Sequence, residues 1–571
     1  MFSHAIAVFS SPGTITENNF MRRRDFLKTG TLAGSAFFLF RSHSLAAAGA
    51  GAHIEVLLDE PVATVAPEIF GHFIEHLGGV IYDGVWVGEN SKIANTDGIR
   101  TALIDRLKAI HAPVIRWPGG CFADSYDWRD GVGPRSKRPK RTDFWVDEEH
   151  AAKLPNDSPV KFEPNQFGTD DFARLCRLSG AQPYIAANLR SLPPYAFDQW
   201  VEYCNSPAGS TAYADMRAQA GTSAPYNVQY WGIGNESWGC GGQFTPEAYA
   251  SEYRRFQAWV PHYGLDLKYV ASGPNGDDVD WTTQFFGNIF GSRKIDPPFG
   301  WSLHYYTDLP EALDFTAEEV YPAYAKADRM EKIILDHWTA MGVYDHEHRV
   351  KLVVDEYGPW YRMDTELDPS HIFGQQITIR DAVMTALTLD TFVRHAEKVS
   401  MAACAQLVNC INSLFLAHED HFIETPNFEV FRMYASHQGG RSVRTEFAAP
   451  AIDFSYTDNK QGPFGAGTTP GVTKGPLWGL NGSASVKDKQ LTLTVTNPHL
   501  TEARETEIRL QGGSAVSAEA TVLAADDIHA HNTFEQPRAV QTRTATAAVS
   551  GQSVRFTFPP SSVTRLAVTL S

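Results

Sequence analysis

Between residues 66 and 430 one rhythm repeats along the chain. Short runs of aliphatic and aromatic residues end in polar residues or glycine, and stretches with apolar residues three and four apart follow them. The runs are Ile69–Glu75, Pro113–Arg116, Pro183–Asn188, Val228–Gly234, Leu267–Ser272, Trp301–His304, Lys351–Asp355 and Val399–Ala405. Near-continuous apolar runs of this length suit strands buried on both faces, and the intervening periodicity suits amphipathic helices. Leu103, Ile104, Leu107 and Ile110 share one such face. Thr245-Pro246-Glu247 is a helix start, with a cap, a first-turn proline and an acid ahead of Tyr249, Tyr253 and Phe256. The alternation predicts an α/β fold, a closed (β/α)8 TIM barrel. A doubly wound sheet competes with it, but no phosphate-cradling GxGxxG follows a strand, and Trp238-Gly-Cys-Gly-Gly242 lacks that spacing.

After residue 430 the period changes to two. Leu491–Val495, Thr506–Leu510, Ala520–Leu523 and Val554–Phe558 alternate apolar and polar positions between turn residues, which predicts a C-terminal antiparallel β-sandwich over 431–571. His53–Leu58 alternates too, so a strand within 53–65 is expected to join that domain. Composition changes this picture little: 43% of the 571 residues are hydrophobic, enough for large cores. Charge does more. The net −17 and the lack of any basic stripe argue against nucleic acid as a partner and favour a neutral ligand.

Residues 1–48 read as an address. Arg22-Arg23-Arg24-Asp25-Phe26-Leu27-Lys28 precedes an apolar run from Thr29 to Phe40 and then Ala46-Ala47-Ala48, with Met21 as the expected true start. Arg-Arg-x-Phe-Leu-Lys is similar to a twin-arginine export signal, which implies a periplasmic or secreted protein with no membrane anchor once mature. The six cysteines include no C-x-x-C pair, so a thiol-bound zinc is not expected and mostly buried free thiols are.

Two of the predicted strands run into carboxylates. Tyr230–Gly234 leads to Asn235-Glu236 and Val353-Val354-Asp355 to Glu356, placing Glu236 after the fourth strand and Glu356 after the seventh. Strand C-termini line one mouth of such a barrel. A single glutamate there is as readily the ion-pair partner of an arginine. Two in an aromatic-rich mouth suit glycoside hydrolysis, where one carboxyl is protonated and the other ionised. No HExxH or paired-histidine spacing points to a metal, and no cofactor is required.

The flanks of these residues carry a resemblance. Gly71-His-Phe-Ile-Glu75-His-Leu, Arg116-Trp-Pro-Gly-Gly-Cys-Phe122, Tyr126-Asp-Trp-Arg-Asp-Gly-Val-Gly-Pro134 and Gly234-Asn-Glu-Ser-Trp-Gly-Cys-Gly-Gly242 resemble segments of α-L-arabinofuranosidases of glycoside hydrolase family 51. So do Ser302-Leu-His-Tyr-Tyr306, Val354-Asp-Glu-Tyr-Gly-Pro-Trp360 and Ala405-Gln-Leu-Val-Asn409. The resemblance implies Glu236 as acid/base and Glu356 as nucleophile. It implies Glu75, Asn235, Tyr306 and Gln406 as sugar-binding or nucleophile-orienting residues, Trp360 as a pocket wall, and Arg116 and His304 as supports. Where many members have an asparagine contacting the sugar, this chain has Cys121, a weak hydrogen-bonding group. Members that share this cysteine tend to have one at the position of Cys240, which permits a disulfide between two mouth loops. The resemblance also implies an arabinofuranose-containing oligo- or polysaccharide as substrate and a homo-oligomer, a hexamer. An endo-β-glucanase or β-xylosidase on the same barrel, and an inactive carbohydrate-binding protein, are the competing readings.

Overall fold

The computed structural model describes residues 51–145, 162–291, 296–363, 365–457 and 472–571; the expected export signal lies outside them. Eight parallel strands close into a barrel in chain order: Gly71–Phe73, Val114–Trp117, Gln182–Ala187, Tyr230–Ile233, Lys268–Ala271, Gly300–Asp308, Lys351–Trp360 and Val399–Cys404. The last pairs with the first through Ala403–Gly71 and Cys404–His72. Each falls within or overlaps one of the eight apolar runs. They are buried on both faces, as their near-continuous apolar character requires. Val114, Tyr184, Tyr230, Val270, Val353 and Met401 cluster apart from the main core and fill the barrel interior. Their neighbours Ile115, Ile185, Trp231, Ala271, Trp301 and Leu352 face the helices instead.

The helices follow their sequence signals. Thr101–Ala109 buries Leu103, Ile104 and Leu107. Pro246–Gln257 starts at a capping Thr245, whose side chain accepts the Ala248 N–H, and buries Tyr249, Tyr253 and Phe256. Among the described residues no helix is long and apolar enough to cross a membrane.

The C-terminal domain is mostly antiparallel, with one departure from the expected all-antiparallel sandwich. Ten of its described strands form one continuous sheet with Ala52–Thr64 as an interior strand, and Ser455–Thr457 and Val472–Lys474 pair separately. The Ala52–Thr64 strand pairs antiparallel with Arg441–Ala448 but parallel with Arg504–Gln511. It comes from before the barrel, so it arrives by a long connection that frees it from hairpin geometry. Residues from the middle and both arms of the sheet, among them Ile54, Leu493, Ile508, Val522, Val554 and Leu566, share one core, so the sheet folds over itself.

The barrel helix Ile379–Arg394 is buried along nearly its whole length, with the sheet on one side. A helix in that position must satisfy its polar residues locally. Asp390 accepts hydrogen bonds from Ser483 Oγ at 2.7 Å and Thr494 Oγ1 at 2.6 Å. Arg394 donates to Asn481 Oδ1 at 2.6 Å and to the Gly482 carbonyl at 3.0 Å. Burial pushes the Asp390 carboxyl up to about 6, against the pull of the Thr494 and Ser483 hydroxyls and Arg394. A carboxyl with a higher pKa folded than unfolded stabilises the fold fully below its unfolded value, and loses that contribution as pH rises through the folded one. The stability of the wild type relative to Asp390→Asn should therefore fall by ~2 kcal/mol between pH ~4 and pH ~7. Urea denaturation of both proteins across that range checks the sign, and a difference that is flat or rises with pH contradicts it.

Candidate active site

Arg116, on the second barrel strand, ties the site together. Its Nη1 donates to Glu356 Oε1 at 2.7 Å and its Nη2 to Asn235 Oδ1, while Nε lies 3.9 Å from Asp355 Oδ2. The guanidinium sits over the Phe73 ring, 4.5 Å from its centroid. A planar fork suits this task, because it sets two partners on different strands at one spacing.

Glu356 is held inside the seventh strand by an irregularity. Ser302 pairs with Val353 and His304 with Glu356, so the seventh strand carries one residue more than its neighbour over this stretch. Such a bulge re-aims side chains. As a result, both Asp355, bonded to Tyr184 Oη at 2.9 Å, and Glu356 reach inward. Glu236 follows the fourth strand with a φ of +38°, just after Gly234 at +80°. Asp124 supports this corner: its carboxylate accepts the N–H groups of Asn235 at 3.1 Å, Leu189 at 2.7 Å and Arg190 at 2.9 Å.

Glu236 and Glu356 meet across His304, whose Nδ1 lies 3.0 Å from Glu236 Oε1 and 3.4 Å from Glu356 Oε2. One carboxylate oxygen of each, together with that nitrogen, falls within a 4.8 Å spread. The Tyr306 hydroxyl donates to Glu356 Oε2 at 2.8 Å. Burial disfavours charge on Glu356, but His304, Arg116 and Tyr306 outweigh it and hold the carboxyl below the usual range, ionised. His304 is displaced the other way: burial opposes its charge, but Glu356 and Glu236 prevail and raise its pKa.

Glu75 sits deeper, taking hydrogen bonds from Gln406 Nε2 at 3.0 Å, Phe122 N at 3.0 Å and Trp145 Nε1 at 3.2 Å. Burial first and the Glu356 charge second push it up to about 8, which favours a protonated Glu75 at neutral pH. These groups open into a cavity of about 690 Å³ walled by Trp145, Trp238, Tyr306, Trp360 and Phe373. Trp360 stands edge-on to Tyr306 and to Phe373, with centroids 4.9 and 5.2 Å apart.

Comparison with known proteins gives this geometry a family. Residues 106–314 match the α-L-arabinofuranosidase 1 domain, and residues 355–562 match the α-L-arabinofuranosidase C-terminal domain. An intracellular exo-α-L-arabinofuranosidase of Bacteroides ovatus is 34% identical over 514 residues, 89% of this chain and 93% of the relative. The crystal structure of the GH51 arabinofuranosidase from Xanthomonas axonopodis pv. citri superposes with a TM-score of 0.81 at 33% identity, covering 91% of this chain and all of that one. The chain belongs to glycoside hydrolase family 51. An arabinose complex of a Thermotoga maritima α-L-arabinofuranosidase, 28% identical, superposes with a TM-score of 0.75 over 91% of this chain and all of that one.

In this family 51 chain the structure brings together every residue singled out in the sequence: Glu75, Arg116, Cys121, Asn235, Glu236, His304, Tyr306, Glu356, Trp360 and Gln406. The disulfide that the resemblance permits joins Cys121 and Cys240, and the other cysteines, Cys176, Cys204, Cys404 and Cys410, are the buried free thiols expected. One expectation changes, the contact of Cys121 with the sugar, since a sulfur bonded to Cys240 offers no S–H. The two sulfurs instead form a wall 3.7 and 3.5 Å from Glu236 Oε2. Sequence reasoning also missed Asp124, Trp145 and Phe373. Asp124 had a signal, since it falls between two of the quoted motifs. Trp145 and Phe373 come from irregular loops with none.

Proposed function

We propose that this family 51 chain is a retaining, exo-acting α-L-arabinofuranosidase that removes terminal non-reducing arabinofuranosyl residues from arabinan, arabinoxylan and arabino-oligosaccharides. The observation that carries the reading is the spacing of Glu236 and Glu356. Oxygens within 4.8 Å suit direct attack by one carboxylate, which needs ~5–5.5 Å, rather than a bridging water, which needs ~6.5–9.5 Å.

Glu356, held ionised, attacks the anomeric carbon. The bond to the aglycone oxygen breaks as the bond to Glu356 forms, and Glu236 delivers its proton to the departing oxygen. Water then attacks the glycosyl ester, Glu236 takes the water's proton, and Glu356 leaves as a carboxylate. Tyr306 and Arg116 each hold one nucleophile oxygen, so the carboxylate is oriented before the sugar arrives. Asn235, Gln406 and Glu75 supply donors and acceptors on several sides of a furanose ring. A protonated Glu75 gives one hydrogen bond as well as taking them.

Export through the twin-arginine route is part of the same proposal, to a periplasmic or secreted site. The arginine pair ahead of Phe26-Leu27-Lys28 supports it, and a disulfide at the mouth suits an oxidising compartment. A homo-oligomer, the hexamer implied by the resemblance, completes the reading. Fractionated cells should hold a shortened protein outside the cytosol, and full-length protein confined to the cytosol refutes the export.

Hydrolysis of an aryl α-L-arabinofuranoside in preference to an aryl β-D-xylopyranoside tests the activity, and the opposite preference overturns it. Glu356→Ala should abolish turnover on every substrate. Glu236→Ala should lose ~10²–10⁴-fold on poor leaving groups but much less on activated aryl ones, whose departure needs little protonation. Azide should speed its slow deglycosylation, and equal losses on both substrate types would remove Glu236 from the acid role.

A further inference from the structure

Away from the catalytic carboxylates, Asp83, His371 and His418 converge at the barrel mouth. We propose that they bind a zinc ion that clamps three loops of the mouth together. Asp83 follows the first barrel strand and His371 the seventh. His418 lies after the eighth, in the hairpin of Phe415–His418 and His421–Glu424.

The geometry is that of a ligand set. His418 Nδ1 lies 2.9 Å and His371 Nε2 3.2 Å from the same oxygen, Asp83 Oδ2, and all three donor atoms fall within 4.8 Å of one another. Ligands ~2.0–2.1 Å from a tetrahedral zinc stand about 3.3 Å apart, so both histidine–carboxylate spacings lie within a few tenths of an ångström of what the metal needs. The imidazole rings are edge-on, 82° apart, which lets each direct a nitrogen to one point.

The other oxygen of Asp83 is already anchored. Oδ1 accepts the Glu419 N–H at 2.9 Å and Arg100 Nη2 at 3.4 Å, a support that leaves Oδ2 directed at the histidines. His371 is buried, while the Asp83 and His418 side chains keep 25% and 33% of their exposure, so an ion has an entry path and a water can complete the tetrahedron. Two imidazoles and one carboxylate suit zinc; calcium and magnesium call for oxygen ligands.

The clamp would act on the substrate pocket through Phe373, two residues beyond His371, which lines the cavity and whose carbonyl accepts the Ile411 N–H at 2.8 Å. Asn409 already links two of the same loops, donating to the Gly79 and Ala417 carbonyls. The ligands come from three distant loops, which is why no motif spacing announced them.

The test uses the full mature chain after chelator dialysis, titrated calorimetrically with Zn²⁺ and followed with Co²⁺ by visible absorption. The wild type should bind one equivalent of Zn²⁺, show tetrahedral Co²⁺ bands and gain thermal stability with Zn²⁺. His418→Ala and His371→Gln should each bind at least about 100-fold more weakly and lose the bands and the stabilisation. Glu236→Gln should keep all three, since its metal ligands are intact. No binding by the wild type overturns the proposal. So does a site that survives in both histidine variants, or one lost in Glu236→Gln, which would place the ion on the catalytic groups.

Discussion

The active site depends on one buried guanidinium. Arg116 bonds Glu356 on the seventh strand and Asn235 at the end of the fourth, and lies near Asp355, with the Phe73 ring beneath it. A buried charge is tolerated only when paired, and here the pairing sets the separation of the two strand ends that carry the chemistry. The same contact helps keep Glu356 ionised despite its burial. One residue thus links the closure of the barrel to the protonation state of its nucleophile. Glu75 shows the consequence: burial first, and the negative Glu356 after it, raise its pKa.

Most of the barrel was legible because its physical requirement is simple. A strand buried on both faces must be nearly all apolar, so runs such as Pro183–Asn188 and Lys351–Asp355 stood out against amphipathic helices. The strand ends were legible too: one carboxylate closing a buried strand is as readily an ion-pair partner, but two closing strands of one mouth point to chemistry. What periodicity could not show was the bulge between Val353 and Glu356, a local register change that turns two consecutive acids inward. Nor could it show that Ala52–Thr64 joins the C-terminal domain as an interior strand with a parallel partner, because alternation marks a strand without naming its neighbours.

The pocket walls were harder still. Trp145 and Phe373 stand in loops without period, and only the fold brings them opposite Trp360. The disulfide lies on the readable side, since both cysteines stand in motifs and the resemblance permits their pairing. Cys121 and Cys240 are 119 residues apart and are joined because the loops after the second and fourth strands meet beside Glu236. Site residues announced by motifs were therefore readable, whereas those recruited by loop geometry were not.

The central claim is that Glu236 and Glu356 stand close enough for a double displacement with no water between them. Proton NMR of the first product released from an aryl α-L-arabinofuranoside, recorded before mutarotation, tests it most directly. Two displacements predict arabinose released as the α-anomer, with configuration retained. A first product of inverted configuration would contradict the account.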